Sequence, residues 1–271
     1  FKNTSFMEFR QPKKFRKVQF GLRQLKTDNL ARYIDPHPFV PSDINARDKR
    51  CREIFSIQTS GLAKRLRHTG MKHAVLGISG GLDSTLALLV TTKTFDVLGI
   101  PRSNIHAITM PGFGTTNTTY DNAIQLMKSM EVTIKEIDIK AACLQHFKDI
   151  GHDPDVHDLT YENTQARERM QIPMDIANKI NGLVVGTGDL SELALGWCTY
   201  NGDHMSMYGV NSSIPKTLVK YLIQWVADNV VNERTKDVLG RILDTPISPE
   251  LLPPDENGEI KQKTEDIVGP Y

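Results

Sequence analysis

The sequence predicts an α/β protein: a parallel sheet flanked by helices on both faces. Three observations carry this expectation. Apolar runs of strand length, at 74–78, 104–110, 132–137 and Gly182–Gly186, alternate with longer stretches of helical period, the order of repeated βαβ units. Two of these runs end in glycine turns that open straight onto a helix, at 79–85 and 186–192. Composition, with 271 residues, 24% charged and a net charge of +1, suits one large globular domain and offers no electrostatic case for nucleic acid.

Taken in order, residues 1–42 are basic, show no sustained apolar period and end in Pro36, Pro38 and Pro41. They read as the linker or tail of a missing upstream domain, or else as a native N-terminal arm. From 43 to 271 the chain reads as one domain. Residues 44–69 form a helix whose Ile54, Ile57, Leu62 and Leu66 make a core-facing stripe. The strand at 74–78 follows, and then a helix with Leu82, Leu86, Leu89 and Val90 at helical spacing, running to about Phe95, with Asp83 or Ser84 able to cap it. The strand at 104–110 leads into Pro111-Gly112-Phe113-Gly114-Thr115-Thr116, and Ala123, Leu126, Met127 and Met130 share one face of the next helix. After the strand at 132–137 come a short helix at 141–147 and a long one at 160–179. Between them, residues 151–158 hold two His and three Asp; the proline and tight spacing favour a solvated turn over a metal loop. Leu218, Val219, Leu222, Ile223 and Val226 mark another amphipathic helix. Residues 240–264, rich in proline and charge, read as a loop, either a lid over about 245–266 or a plain linker. No apolar run is long enough to span a membrane and the opening residues carry no signal-peptide pattern. With only Cys51, Cys143 and Cys198, widely spaced, reduced thiols and a cytoplasmic protein are expected.

The chemistry concentrates at the two glycine turns. In Ser79-Gly80-Gly81-Leu82-Asp83-Ser84-Thr85, the free N–H groups of a helix start meet hydroxyls and two glycines, which makes an anion site. It matches neither the Walker loop, for want of a lysine, nor the dinucleotide loop, for want of the spacing. It resembles the pyrophosphate loop of the ATP pyrophosphatases, in which Asp83 would hold Mg²⁺. Gly186-Thr187-Gly188-Asp189-Leu190-Ser191-Glu192 repeats that logic; Glu192 would stand beside Asp83 if the two strands are neighbours. Alone, Asp189 and Glu192 would read as helix-dipole residues and Trp197 as core. Asn163 and Arg167 lie one helical turn apart and suit an amide or a phosphate, or simply a solvated face.

SGGLDST, TYENTQARER, GTGDLSELALGW and TYNGD followed by PK, in this order, resemble the synthetase domain of NAD⁺ synthetases, the glutamine-dependent kind most closely, over about 38–271. That resemblance implies a Rossmann-like, adenine nucleotide alpha hydrolase-like fold and a ligase that amidates deamido-NAD⁺ with ATP, Mg²⁺ and ammonia, through an adenylate. It implies ATP contacts from Gly77, Ile78, Ser79, Gly80, Gly81, Leu82, Asp83, Ser84 and Thr187, and Mg²⁺ on Asp83 and Glu192. It places deamido-NAD⁺ on Asn163, Arg167, Glu192, Trp197, Cys198, Thr199, Tyr200, Asp203 and Lys216, with Asp83, Glu192 and Lys216 catalytic. It further implies an upstream glutaminase domain on the same polypeptide and a homodimer, packed through the helix of Leu218. One departure stands out: ammonia-dependent members carry an ATP-contacting Arg where this chain has Thr109 or Met110. Other ATP pyrophosphatase ligases, such as a GMP-synthetase-like enzyme or a tRNA modifier, and a non-catalytic nucleotide-binding domain remain the alternatives.

Overall fold

The computed structural model describes residues 16–22, 31–35, 37–246, 251–253 and 269. The chain divides into two units, Phe1–Pro36 and His37–Tyr271. The described residues of the first are exposed and form neither helix nor strand. All that follows concerns the second.

Helix α1 (Ile44–Thr69) starts at Asp43, whose carboxylate accepts from the Ala46 N–H, and stops at Gly70 in the left-handed conformation. Five strands follow: β1 (His73–Gly77), β2 (Ile105–Thr109), β3 (Thr133–Glu136), β4 (Gly182–Gly186) and β5 (Tyr208–Gly209). They form one sheet in the order β3-β2-β1-β4-β5, every pairing parallel. Side-chain alternation along β1 sorts the core. Ala74 and Leu76 face the larger layer, built from α1, α2 (Leu82–Leu98), α3 (Asn117–Ser129), α7 (Lys216–Asn229) and α8 (Glu233–Leu243). Val75, with Ile108 and Val184, faces Phe147 of α4 (Lys140–Ile150) and Tyr161 and Ala177 of α5 (Leu159–Ile180).

The strand order positions the site. The chain builds outward from β1 to β2 and β3, then returns to the opposite side of β1 for β4 and β5. The β1–β4 boundary is therefore the topological switch point, where the loops leaving two adjacent parallel strands part to opposite sides and open a crevice. Both glycine turns leave from those two strands.

Some expectations change. The α2 cap is Gly81 and makes no side-chain cap bond; Asp83 and Ser84 lie within the first turn. Helix α8 includes Gly240 and ends at Leu243, so residues 240–243 are helix, held by the burial of Val238, Leu239, Ile242 and Leu243. The rest of the expected lid, at 247–250 and 254–266, lies outside the described residues. The apolar face of α7 is buried within this chain's own core, so Leu218, Val219, Leu222, Ile223 and Val226 are not available to a second copy. Residues 151–158 form a turn in which Asp158 caps α5 through the Thr160 and Tyr161 N–H groups, and Asp153 accepts from the Asp155 N–H. The three cysteines are unbridged. No described helix is long and apolar enough to cross a membrane.

Candidate active site

The first glycine turn folds around its own hydroxyls. The Ser79 side chain accepts from the Gly81 N–H at 3.2 Å; the hydroxyls of Ser84 and Thr85 donate to the Gly81 carbonyl at 3.1 and 2.7 Å. Gly80 is positive in φ (+88°), and a Cβ there would meet the Thr119 carbonyl oxygen at 2.2 Å, so only glycine fits. With glycine as cap, no cap side chain bonds the helix start, and the first-turn residues Leu82, Asp83 and Ser84 line the cleft.

The second turn takes the opposite solution. Helix α6 (Leu190–Leu195) begins with a capping box: the Asp189 carboxylate accepts from the Glu192 N–H at 2.8 Å, and Glu192 accepts from the Asp189 N–H at 3.1 Å. The helix end is closed, and the remaining carboxylate oxygens project toward β1. There Asp83, Asp189 and Glu192 bring ligand oxygens within 4.8 Å of one another. Lys216, at the start of α7, sits among them, 2.8 Å from Asp189 Oδ2 and 3.1 Å from Glu192 Oε1, and it also pairs with Asp83. Asn211, fully buried, joins the two turns by donating to the carbonyls of Asp83 at 2.9 Å and Thr187 at 3.0 Å.

Three carboxylates against one ammonium leave an excess of negative charge. Burial, reinforced by the carboxylates of Glu192 and Asp189, pushes the Asp83 pKa up to about 7 against the opposing pull of Lys216. Burial raises Glu192 as well. Burial alone would discharge Lys216, but its three carboxylates together outweigh that and hold its pKa above the ordinary lysine value. Asp83 Oδ1 is buried with no hydrogen-bond partner among the described residues. An all-carboxylate donor set with excess charge and an orphaned oxygen fits a hard divalent cation such as Mg²⁺.

The cleft above these turns encloses about 520 Å³. Gly77, Ile78, Ser79, Gly81, Leu82 and Ser84 line it, with Thr187 opposite. Farther along lie Asn163, Trp197, Cys198, Thr199 and Asp203. The Thr199 hydroxyl donates to the Asn163 side-chain oxygen at 2.7 Å, and the Thr199 N–H donates to Asp203 at 2.7 Å. Burial raises the Asp203 pKa. Three expected residues stand outside the lining. Gly80 faces Thr119. Tyr200 is 75% exposed and stacks on His204. Arg167 is exposed and donates to the Tyr200 carbonyl at 3.1 Å, bracing the 197–203 loop from outside.

Sequence reasoning missed four residues here: Asp189 as an ion-pair partner, Asn211, Gln165 and Arg169. At the exit of β2, where an arginine is sought at Thr109 or Met110, the guanidinium comes from α5. Arg169 lines the cleft and donates from Nε to the Met110 carbonyl at 3.2 Å. Of the four, only Asp189 had a local signal, the D-x-x-E spacing of a capping box.

Comparison with known proteins bears on this cleft. A family model described as NAD synthase matches residues 54–254. A glutamine-dependent NAD(+) synthetase of Mycobacterium leprae (strain TN) is 45% identical over 265 residues, covering 95% of this chain and 39% of that protein. The chain thus spans about two fifths of the length of the curated mycobacterial relatives it matches. Among solved structures, a glutamine-dependent NAD+ synthetase from Acinetobacter baumannii in complex with adenosine diphosphate superposes with a TM-score of 0.62 at 28% identity, covering 69% of this chain and 35% of the other. An NMN synthetase from Francisella tularensis gives 0.66 at 23% identity, covering 82% of each chain, a likeness of fold alone.

Proposed function

Because the chain belongs to the NAD synthase family, we propose that it is the ATP-consuming half of a glutamine-dependent NAD⁺ synthetase, a ligase of NAD biosynthesis. In this reading ATP and deamido-NAD⁺ meet in the cleft. A nicotinate carboxylate oxygen attacks the α-phosphorus of ATP, the bond to the α–β bridging oxygen breaks, and pyrophosphate leaves. Ammonia then attacks the acyl carbon of the adenylate and loses a proton; the carbon–oxygen bond breaks and AMP departs, leaving the carboxamide.

No protein nucleophile takes part, so the chain works by positioning and charge. The open start of α2 holds the pyrophosphate end of ATP through backbone N–H groups, with the hydroxyls of Ser79 and Ser84 beside them. Asp83 and Glu192 would hold Mg²⁺, which when bound supplies positive charge to the triphosphate and its leaving group. Lys216, kept charged by its carboxylates, serves the phosphates and the adenylate. Asn163, Trp197, Cys198, Thr199 and Asp203 form the dinucleotide side, with Trp197 stacking on the nicotinate ring; Arg167 and Tyr200 act through the loop they brace. Residues 43–271 are the synthetase domain in this reading, 1–42 lead to it, and a glutaminase domain upstream on the same polypeptide supplies ammonia in the cytoplasm. A homodimer would use a surface other than the buried face of α7.

The observation that carries the reading is the pairing of an open helix start on β1 with a capped, carboxylate-bearing one on β4, joined through Lys216. The test is pyrophosphate release with ATP, Mg²⁺ and ammonium, in the presence of deamido-NAD⁺ or of xanthosine monophosphate. Release that depends on deamido-NAD⁺ and disappears in Asp83→Ala supports the assignment. Release with xanthosine monophosphate instead overturns it.

A further inference from the structure

Gln165 is fully buried in the middle of α5, yet two of its three side-chain hydrogen bonds reach chain distant in sequence. Its side-chain oxygen accepts from the Phe113 N–H at 3.1 Å, in the loop leaving β2. Its side-chain nitrogen donates to the Leu251 carbonyl at 2.8 Å, 86 residues downstream, and at 3.3 Å to the Tyr161 carbonyl one turn back. Pro111 and Thr115 of the first segment and Leu251 of the second line the same cleft. The β2 exit loop approaches α5 so closely that a Cβ on Gly112 would meet Arg169 Nη2 at 2.4 Å and Gln165 Oε1 at 2.8 Å. Leu252 packs into the core layer under α5. Two separate walls of the cleft are thus tied to one side chain, mounted on a helix that packs against β1 and β4.

We propose that Gln165 is a positioning residue, whose amide clamps the β2 exit loop and the segment at 251–253 together as walls of the cleft that the first glycine turn also lines. The inference rests on the function proposed above. The amide serves both walls because it accepts at one atom and donates at the other. An ionised glutamate keeps the acceptor for Phe113 and loses the donor to Leu251. Methionine, of similar length, loses both. The clamp aligns walls and closes them to water, and does not touch the reacting atoms.

The experiment compares wild type, Gln165→Glu and Gln165→Met as the full polypeptide. Breaking the clamp, at the Leu251 bond in Gln165→Glu and at both walls in Gln165→Met, should raise KM for ATP about tenfold or more. At saturating ATP kcat should hold within about twofold, and KM for ammonium should not move. AMP should appear in excess of NAD⁺, because water adds to the acyl carbon of the adenylate and returns deamido-NAD⁺ and AMP. Hydrogen exchange at the Phe113 amide is a second readout that needs no turnover: protected in wild type and Gln165→Glu, unprotected in Gln165→Met. A fall in kcat at unchanged KM for ATP, or tight coupling of AMP to NAD⁺ in both variants, would overturn the proposal. If the buried carboxylate prevents Gln165→Glu from folding, the uncharged Gln165→Met carries the test. A wild type that turns over xanthosine monophosphate but not deamido-NAD⁺ breaks the functional reading alone; the exchange pattern at Phe113 still decides the clamp.

Discussion

The two glycine turns look alike as sequence and do opposite things. Each leaves one of two neighbouring parallel strands and enters a helix. At β1 the cap is Gly81, no side chain closes the helix start, and the N–H groups stay available to an anion. At β4 the cap is Asp189, a full capping box closes the start, and the surplus carboxylate oxygens face the Lys216 ammonium. The same strand–turn–helix unit therefore leaves N–H groups free or sets out carboxylate oxygens, according to whether its cap has a carboxylate, and in the proposed function these become the anion half and the cation half of the site. Lys216 stands between the halves and neutralises part of the carboxylate charge.

The largest way to break this arrangement is Lys216→Met. It strands Asp83, Asp189 and Glu192 without a counter-charge, and removing one partner from a buried pair costs about 3–5 kcal/mol. Denaturant unfolding at pH 8 should show that loss, and Asp83→Asn in the same chain should recover a good part of it.

Asp83→Asn alone should lower kcat by about 10²–10³-fold, the scale of losing one preorganised electrostatic contact, while raising stability near neutral pH. The sign follows from burial. The folded pKa of Asp83 is raised to about 7, whereas an unfolded aspartate titrates near about 3.9. Between those values the folded state binds more protons, so this contribution is full below about pH 4 and is lost as pH rises to about 7. The raised Glu192 adds in the same direction. Melting temperature against pH should fall across this window in wild type and run flatter in Asp83→Asn; a wild-type curve rising from pH 4 to 7 would contradict the charge balance.

Gly81→Ser sharpens the comparison with the smallest effect on stability. Gly81 has φ −88° and ψ 175°, which any residue adopts. A serine there should cap the first turn and stabilise the fold by only a few tenths of a kcal/mol, yet weaken ATP binding about tenfold by occupying N–H groups the phosphate needs. Equal ATP affinity in wild type and variant would mean that the open end is not the phosphate site.

Much of this is legible in the sequence, for local reasons. Helix α1 matches its expected span because Leu62 and Leu66 recur at helical spacing and are buried, although Ile57, expected on the same stripe, is exposed. The β1 turn was legible because its glycines and hydroxyls act within seven residues. Strand β5 was not, since two residues show no alternation. The end of helix α8 reads as loop in the sequence because Gly240 and the prolines beyond it mask the stripe of Val238, Leu239 and Ile242. Gln165, Asn211 and Arg169 act across 52 to 128 residues of chain, and polar residues inside amphipathic helices or turns carry no local mark of such contacts. The apolar face of α7 shows the converse: a periodic stripe reports burial and not what buries it.

The most direct measurement is calorimetric titration of a non-hydrolysable ATP analogue into wild type and Asp83→Asn, with and without Mg²⁺. If one half of the cleft takes phosphate and the other takes the cation, Mg²⁺ should tighten binding by wild type about tenfold or more and leave Asp83→Asn nearly unchanged. Equal affinity in wild type with and without Mg²⁺ would contradict the division of the site into an anion half and a cation half.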